Sequence, residues 1–332
     1  MVDSFAFVVF LVLVALVFDF LNGFHDSANA ISTIVSTRVL SPRNAVIWAA
    51  FFEFVAVFFV GVQVANTIGT GIIHPDIVDN TLILAALSAA IIWNIITWYF
   101  GLPSSSSHAL IGGLIGAGIM KGGTKVLVWG GITKTTLFIV LSPTIGLILG
   151  LVLMILVLNL SRRSNVARSQ KIFRKLQLLS CAIYSMGHGT NDAQKTMGII
   201  AIILYSQGLL GPHFYIPLWV IIVCYVVIAL GIMSGGWRIV KTMGTKITKL
   251  QPIGGFCAET AAAIAIIGAS LGGIPVSTTH TITGAIVGVG ATKRLTAVRW
   301  GVAGNIVWAW VLTIPLSALL SAIIYIGLEI IF

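Results

Sequence analysis

An almost unbroken apolar run, Phe5 to Phe18, leads into a polar cluster at Asn22–Ala30 (NGFHDSANA). The run approaches the length a membrane helix needs. It predicts a first helix over Val2–Leu21, a break at Gly23 and a shorter helix from Ser27 to Thr37. Arg38, Pro42 and Arg43 mark a tight loop, and a second span is predicted over Asn44–Val64 with Glu53 near its middle. Leu82–Phe100 is apolar, breaks at Gly101–Ser107 (GLPSSSS) and resumes as His108–Met120, too short to cross a bilayer alone. Lys121–Lys134 reads as a loop and Thr135–Leu160 as a long span. After a basic connection, Arg162–Lys175, the plan repeats. Leu176–Tyr205 carries a polar cluster, His188–Thr196 (HGTNDAQKT), and is expected to break at Gly187–Gly189. Pro217–Met233 is apolar, Gly235–Gln251 basic and Ile253–Leu271 apolar. A second break, Gly272–Thr279 (GGIPVSTT), then a short helix, His280–Gly290, a basic stretch, Lys293–Arg299, and a last span, Val302–Phe332, complete the chain.

The breaks align residue by residue. Gly101, Pro103, Ser105, His108, Gly112 and Gly116 lie 172 positions before Gly273, Pro275, Ser277, His280, Gly284 and Gly288. Gly23 and Asp26 lie 166 before Gly189 and Asp192. The chain therefore reads as two copies of one unit, residues 1–160 and 176–332, joined by a basic cytoplasmic linker over 161–175. If each helix–break–short-helix segment is a re-entrant hairpin, each copy crosses three times and the second is inverted. The expected fold is an all-α integral membrane protein, with two inverted-topology repeats, broken helices and re-entrant helical hairpins.

Composition agrees. The 332 residues are 58% hydrophobic and only 8% charged, against about a quarter charged in a soluble domain. The apolar segments are continuous rather than alternating, which excludes a transmembrane β-barrel. A net charge of +10 would suit nucleic acid, but the cations sit in short clusters between apolar segments, the way membrane topology is encoded. With both termini outside, the inner loops collect 15 of the 19 Lys and Arg, including Arg162–Lys175. The start of the chain lacks the basic patch and cleavage site of a signal peptide, so the first helix is expected to stay. Cys181, Cys224 and Cys257 are scattered in apolar surroundings without metal or disulfide spacing.

Two chemistries emerge. Pro103 and Pro275 stop a helix, and hydroxyl residues open the next one. Such a start offers unpaired N–H groups, the positive end of the helix dipole and side-chain hydroxyls. Paired starts at Ser104, Ser105, Ser106 and Ser107 and at Ser277, Thr278 and Thr279 make an anion site suited to a tetrahedral oxyanion. Asp26 and Asp192, with Asn22, Asn29, Asn191 and carbonyls freed at the glycine breaks, are hard oxygen ligands for a small cation, Na⁺ if sodium is the coupling ion. Glu53 and Glu259 are further intramembrane acids with no counterpart in the other copy, Leu87 standing opposite Glu259. His108 and His280 end the hydroxyl runs as structural braces or proton carriers, with no partner spaced for a metal. The Ser–His proximity lacks the elbow and the base–orienter pair of a hydrolase, so no enzyme is expected.

At Asn22–Ala30, His188–Ile200, Gly101–Gly112 and Gly273–Gly284 the chain closely resembles the inorganic phosphate transporter (PiT) family of secondary carriers. The resemblance implies an inverted-repeat helical carrier, homodimeric, moving phosphate across the plasma membrane with co-transported Na⁺ or H⁺ and no resident cofactor. It puts phosphate on the two Pro-Ser/Thr breaks and cations near Asp26 and Asp192. Two departures stand out: His25 replaces an Asn common before the first Asp, and Lys195 takes the place matching Asn29. A fixed ammonium there either replaces one bound cation or contacts the anion. Both residues resemble the bacterial branch, where proton coupling and metal–phosphate substrates also occur. A sulfate or other oxyanion permease, and a passive anion channel, are the alternatives.

Overall fold

The computed structural model describes residues 5–59 and 61–331. Among them are twelve α-helices and no strand, only an isolated bridge between Ile73 and Leu127. The first half contributes α1 (Phe5–Ser36), α2 (Pro42–Val55), α3 (Gln63–Thr70), α4 (Asn80–Phe100), α5 (Ser106–Gly122) and α6 (Trp129–Ser161). The second contributes α7 (Val166–Ser206), α8 (Leu218–Ser234), α9 (Trp237–Lys241), α10 (Pro252–Leu271), α11 (Thr278–Lys293) and α12 (Trp300–Ile331). Among the described residues α1, α4, α6, α10 and α12 are long and apolar enough to cross a membrane. Two bent pairs, α2 with α3 (86°) and α8 with α9 (61°), would raise the number of spans from 5 to 7. The second span predicted over Asn44–Val64 is the first of these bends.

The two glycine breaks expected in the polar helices do not occur. Both α1 and α7 run unbroken through their clusters. A glycine weakens a helix by only about 1 kcal/mol relative to alanine, and here its missing side chain is used for close approach. A Cβ on Gly23 would lie 2.2 Å from the Ile228 carbonyl oxygen of α8, and one on Gly231 of α8 would lie 2.2 Å from the Phe20 oxygen of α1. Gly189 of α7 presses on Glu53 of α2 in the same way, 3.0 Å from its carbonyl oxygen. These glycines bring helices together rather than ending them, so they free no backbone carbonyls.

The linker is also shorter than expected. The turn after α6 is only residues 162–165, and Asn165 caps α7 by accepting from the Ala167 amide at 2.9 Å. The basic residues from Arg168 to Lys175 belong to the first turns of α7. Likewise Lys121 ends α5 and Lys134 lies within α6, so little of Lys121–Lys134 is loop.

The breaks after α4 and α10 do form, for one local reason. Gly101 (φ 65°) and Gly273 (φ 63°) take the left-handed conformation that ends a helix. Ser105 and Ser277 then cap the next helices by accepting from the His108 and His280 amides at 3.3 and 3.2 Å.

Packing exchanges partners between the halves: α1 lies on α8, α7 on α2 and α3, α5 on α12, and α11 on α6. The last two contacts are built alike. A Cβ on Gly112 would meet the Ile314 oxygen at 2.6 Å and one on Gly116 the Ala318 oxygen at 2.0 Å, both on α12. On Gly284 and Gly288 it would meet the Pro143 and Leu147 oxygens of α6 at 2.1 and 2.2 Å. Valine at Gly112 or Gly284 should therefore cost at least the roughly 1–3 kcal/mol of an overpacked core. The expected outcome is a lower melting temperature of the purified protein in detergent for each variant. Gly301→Ala, with nothing within 4 Å of its Cβ, should leave the melting temperature undiminished.

Candidate functional site

The starts of α5 and α11, far apart in sequence, meet in the interior. The His108 and His280 rings touch edge-on with centroids 4.7 Å apart. Behind them the Trp310 ring stacks on His280 at 4.0 Å, and its Nε1–H donates to the Pro103 carbonyl at 2.9 Å. One tryptophan of α12 thus ties both breaks together. Nothing in its own surroundings in the sequence distinguishes Trp310 from the other tryptophans. The two histidines brace one another and touch no carboxylate.

Against these starts lie the polar turns of α1 and α7. Ser106 donates to Asp26 Oδ2 at 3.0 Å and, in a shorter bond, to Asn22 Oδ1. The matching hydroxyl, Thr278, lies 3.2 Å from Asp192 Oδ2. Two further contacts cross between halves: Asn29 Nδ2 donates to Thr279 Oγ1 at 2.8 Å, and Lys195 Nζ donates to Ser107 Oγ. Asn29 and Lys195 are 166 positions apart and Ser107 and Thr279 are 172 apart, so both kinds of contact obey the spacings of the sequence correspondence. Lys195 also donates to Asp192 Oδ1 at 2.5 Å and to the Val276 carbonyl at 3.0 Å. Thr279 Oγ1 reaches Asp26 Oδ1 at 3.4 Å. All of these side chains are buried.

Other predicted residues sit at the edge of this centre. Nδ1 of His25 is 2.9 Å from Asp26 Oδ1 and its Nε2 is 3.1 Å from Thr97 Oγ1, so the ring bridges α1 to α4. Asn191 faces away from Asp26: its Nδ2 donates to Ser270 Oγ at 2.9 Å and to the Ile274 carbonyl at 3.3 Å. Glu53 reaches the centre through His188, whose Nδ1 is 2.7 Å from Glu53 Oε1 and whose Nε2 is 3.3 Å from Asp192 Oδ2. Glu259 belongs to a separate cluster, accepting from Thr33 (2.6 Å), Gln177 (3.0 Å) and Ser180 (2.5 Å).

Sequence reasoning missed His188 as a site residue and overlooked Asp19. Asp19 is buried and accepts from Thr196 at 2.7 Å. The rule that singles out intramembrane acids would have found it. His188 stands in the quoted motif at the place matching Asn22, and that correspondence was the available signal.

The arrangement is suited to oppositely charged solutes. Asp26, His188 and Asp192 each offer a ligand atom within 4.8 Å of the others, a donor set a cation can use. Ala109 and Thr281 are the first amides to bond back to the cap carbonyls, Ser105 O and Ser277 O. Helix geometry leaves the earlier amides, at Ser106, Ser107, Thr278 and Thr279, without intrahelical partners, beside their own hydroxyls. Buried polar atoms lacking hydrogen-bond partners include Ser104 Oγ, Asn22 Nδ2 and Asn191 Oδ1. Each would cost about 1–3 kcal/mol if left so, and a polar ligand or water at this centre is what they can bond.

Comparison with known proteins agrees with this chemistry. Residues 22–321 match the model of the phosphate transporter family. A Rhizobium meliloti protein named "Probable low-affinity inorganic phosphate transporter" is 60% identical over 328 residues, 99% of this chain and 98% of its own. A Bacillus subtilis protein of the same name is 47% identical over 98% of both chains. A solved structure described as "The sodium-dependent phosphate transporter" superposes with a TM-score of 0.86 at 26% identity, covering 98% of this chain and 99% of that one. These relatives are named as transporters, not enzymes. With its fold, its central motifs and nearly its whole length matched, the chain belongs to the phosphate transporter family.

Proposed function

We propose that this protein is a secondary active symporter that brings inorganic phosphate into the cell with a cation, Na⁺ or H⁺. One observation carries the reading: two hydroxyl-lined helix starts converge on two buried carboxylates and share their hydrogen bonds. Phosphate is held by Ser104–Ser107 and Ser277–Thr279 with their free amides. The coupling cation binds at Asp26 and Asp192, with Asn22, Asn29 and His188 completing the set. Glu53 acts through His188, while Asn191 and Glu259 bond elsewhere and fall outside this set.

Electrostatics explains the coupling. Two unit charges 4 Å apart interact by roughly 4 kcal/mol at an effective dielectric of about 20. Phosphate beside Asp26 is repelled by an amount of that order, and a cation at the centre removes it, while Asp192 is already paired with the Lys195 ammonium. Each solute then raises the affinity for the other, as linkage requires. The matched contacts and exchanged helix pairs support two inverted repeats, 1–160 and 176–332, with Arg162–Lys175 on the cytoplasmic face of the plasma membrane and both termini outside. Paired repeats around a central site suit alternating access, and homodimers are the expected assembly.

Radiolabelled phosphate uptake into proteoliposomes under separate Na⁺ and pH gradients tests the function. Uptake should follow one gradient and be competed by unlabelled phosphate. Competition by sulfate instead would make it a sulfate carrier, and flux indifferent to both gradients would make it a channel. Asp26→Asn should abolish cation-driven uptake while the protein still inserts, and normal uptake would remove Asp26 from the cation site. Ser107→Ala with Thr279→Val deletes one hydroxyl from each start. A hydrogen bond to a charged group is worth about 1.5–3 kcal/mol, so KM for phosphate should rise at least about tenfold. An unchanged KM would take these hydroxyls out of the anion site.

A further inference from the structure

Lys195 is the one Lys or Arg among the described residues whose side chain is fully buried, and symport as proposed above does not by itself require it. Its ammonium has three N–H groups, and each has an oxygen to meet. The partners are a carboxylate (Asp192 Oδ1, 2.5 Å), a hydroxyl (Ser107 Oγ) and a carbonyl exposed by the second break (Val276 O, 3.0 Å). They come from α7, the start of α5 and the segment before α11. Carboxylate, hydroxyl and backbone carbonyl are the ligands a hard, hydrated cation exchanges for water.

The matching place in the other half is built from similar donors but holds no ammonium. Asp26 has the Ser106 hydroxyl at 3.0 Å, the Thr279 hydroxyl at 3.4 Å and His25 Nδ1 at 2.9 Å. Asn29, where Lys195 would stand, is neutral and reaches Thr279 instead. The scaffold thus repeats a cation-binding arrangement and fills one copy with a charge that cannot leave.

A purely structural ion pair would need only Asp192, and a buried pair seldom stabilises more than apolar packing does. Here Nζ bridges both helix starts, next to the hydroxyls proposed to hold the anion. We infer that the Lys195 ammonium is a built-in counter-ion that stands in for a transported cation at Asp192, so that each phosphate moves with one coupling cation fewer than two open sites would carry. This rests on the symport reading of the preceding subsection.

Lys195→Asn, which restores the residue type of the matching position, tests it. In proteoliposomes, the charge moved per phosphate is obtained from the reversal potential at fixed phosphate and cation gradients. The variant should carry one more positive charge per phosphate than the wild type, and an equal ratio overturns the inference. Thermal unfolding of the purified intact protein gives a second readout that does not need transport. The melting temperature of Lys195→Asn should climb more steeply than that of wild type when NaCl replaces choline chloride, or as the pH is lowered if H⁺ is the driver. Equal slopes overturn the inference even if the variant is inactive. Lys195→Met, which fills the space without charge or oxygen, should bind phosphate more weakly at every cation concentration, and wild-type affinity in that variant counts against it. Loss of pH-gradient drive in Lys195→Asn, without any gain in cation dependence, would make Lys195 a proton carrier and likewise overturn it. If wild-type uptake ignores both gradients, the symport reading fails first, a result distinct from all of these.

Discussion

Two carboxylates in the interior of a helical bundle, Asp26 and Asp192, constrain the rest of this structure. Ionised carboxylates are costly to bury unless they are hydrogen-bonded or paired with charge. The chain meets this demand with helix starts and with the nitrogen bases His25, His188 and Lys195. Ser106 and Thr278 donate from the first turns of α5 and α11, where the dipole also favours negative charge. For those starts to reach the centre, α4 and α10 must stop inside the bundle, which Gly101, Pro103, Gly273 and Pro275 enforce. For the carboxylates to stay fixed opposite them, α1 and α7 must run straight through, which Gly23 and Gly189 permit by letting neighbouring helices press close.

The donors that hold the carboxylates are also the ones an oxyanion would need. A hydroxyl has one proton to give. While the Ser106 proton is shared between Asn22 and Asp26 and that of Thr278 faces Asp192, neither is available to an anion. On the symport proposed above, a cation on a carboxylate would take over the neutralising role and release the hydroxyl to turn. Competition for protons and relief of charge repulsion would then act in the same direction, and both would couple the two solutes. Glu259 is a useful contrast. It receives three donors of its own from α1 and α7, away from the helix starts, and shares none of them with the anion side.

Much of this was legible in the sequence because it depends on local rules. Proline after a left-handed glycine, followed by serine or threonine, writes a break and a cap within six residues, and the 172-residue correspondence exposed the second copy. What misled was glycine. In Gly23 and Gly187–Gly189 a helix-breaking glycine and a close-packing glycine look the same, since the difference lies in the Ile228 and Glu53 carbonyls of distant helices. The basic stretch at 161–175 misled similarly, because an exposed charged surface is compatible with helix as well as loop. Trp310 was beyond reach for a stronger reason: its role depends on α12 meeting both breaks, a contact with no sequence period.

The correspondence between halves is geometric, and the chemistry placed on it is deliberately unequal. Asn22 matches His188, His25 matches Asn191, and Asn29 matches Lys195. Each exchange trades a neutral amide for a base or a base for an amide, and two of the three put the nitrogen base on the second half. Glu53, although it comes from the first half, adds its carboxylate to that same side through His188. The second side therefore holds Asp192, Glu53, His188 and Lys195 in one connected chain of contacts. The first holds Asp26 with His25, neutral amides and a 4.0 Å approach to the shared His188, and has no lysine. A network that carries its own compensating charges can keep one configuration throughout a transport cycle. The asymmetry thus gives the two matched carboxylates different surroundings, a lysine at Asp192 and none at Asp26, on a backbone that treats them alike.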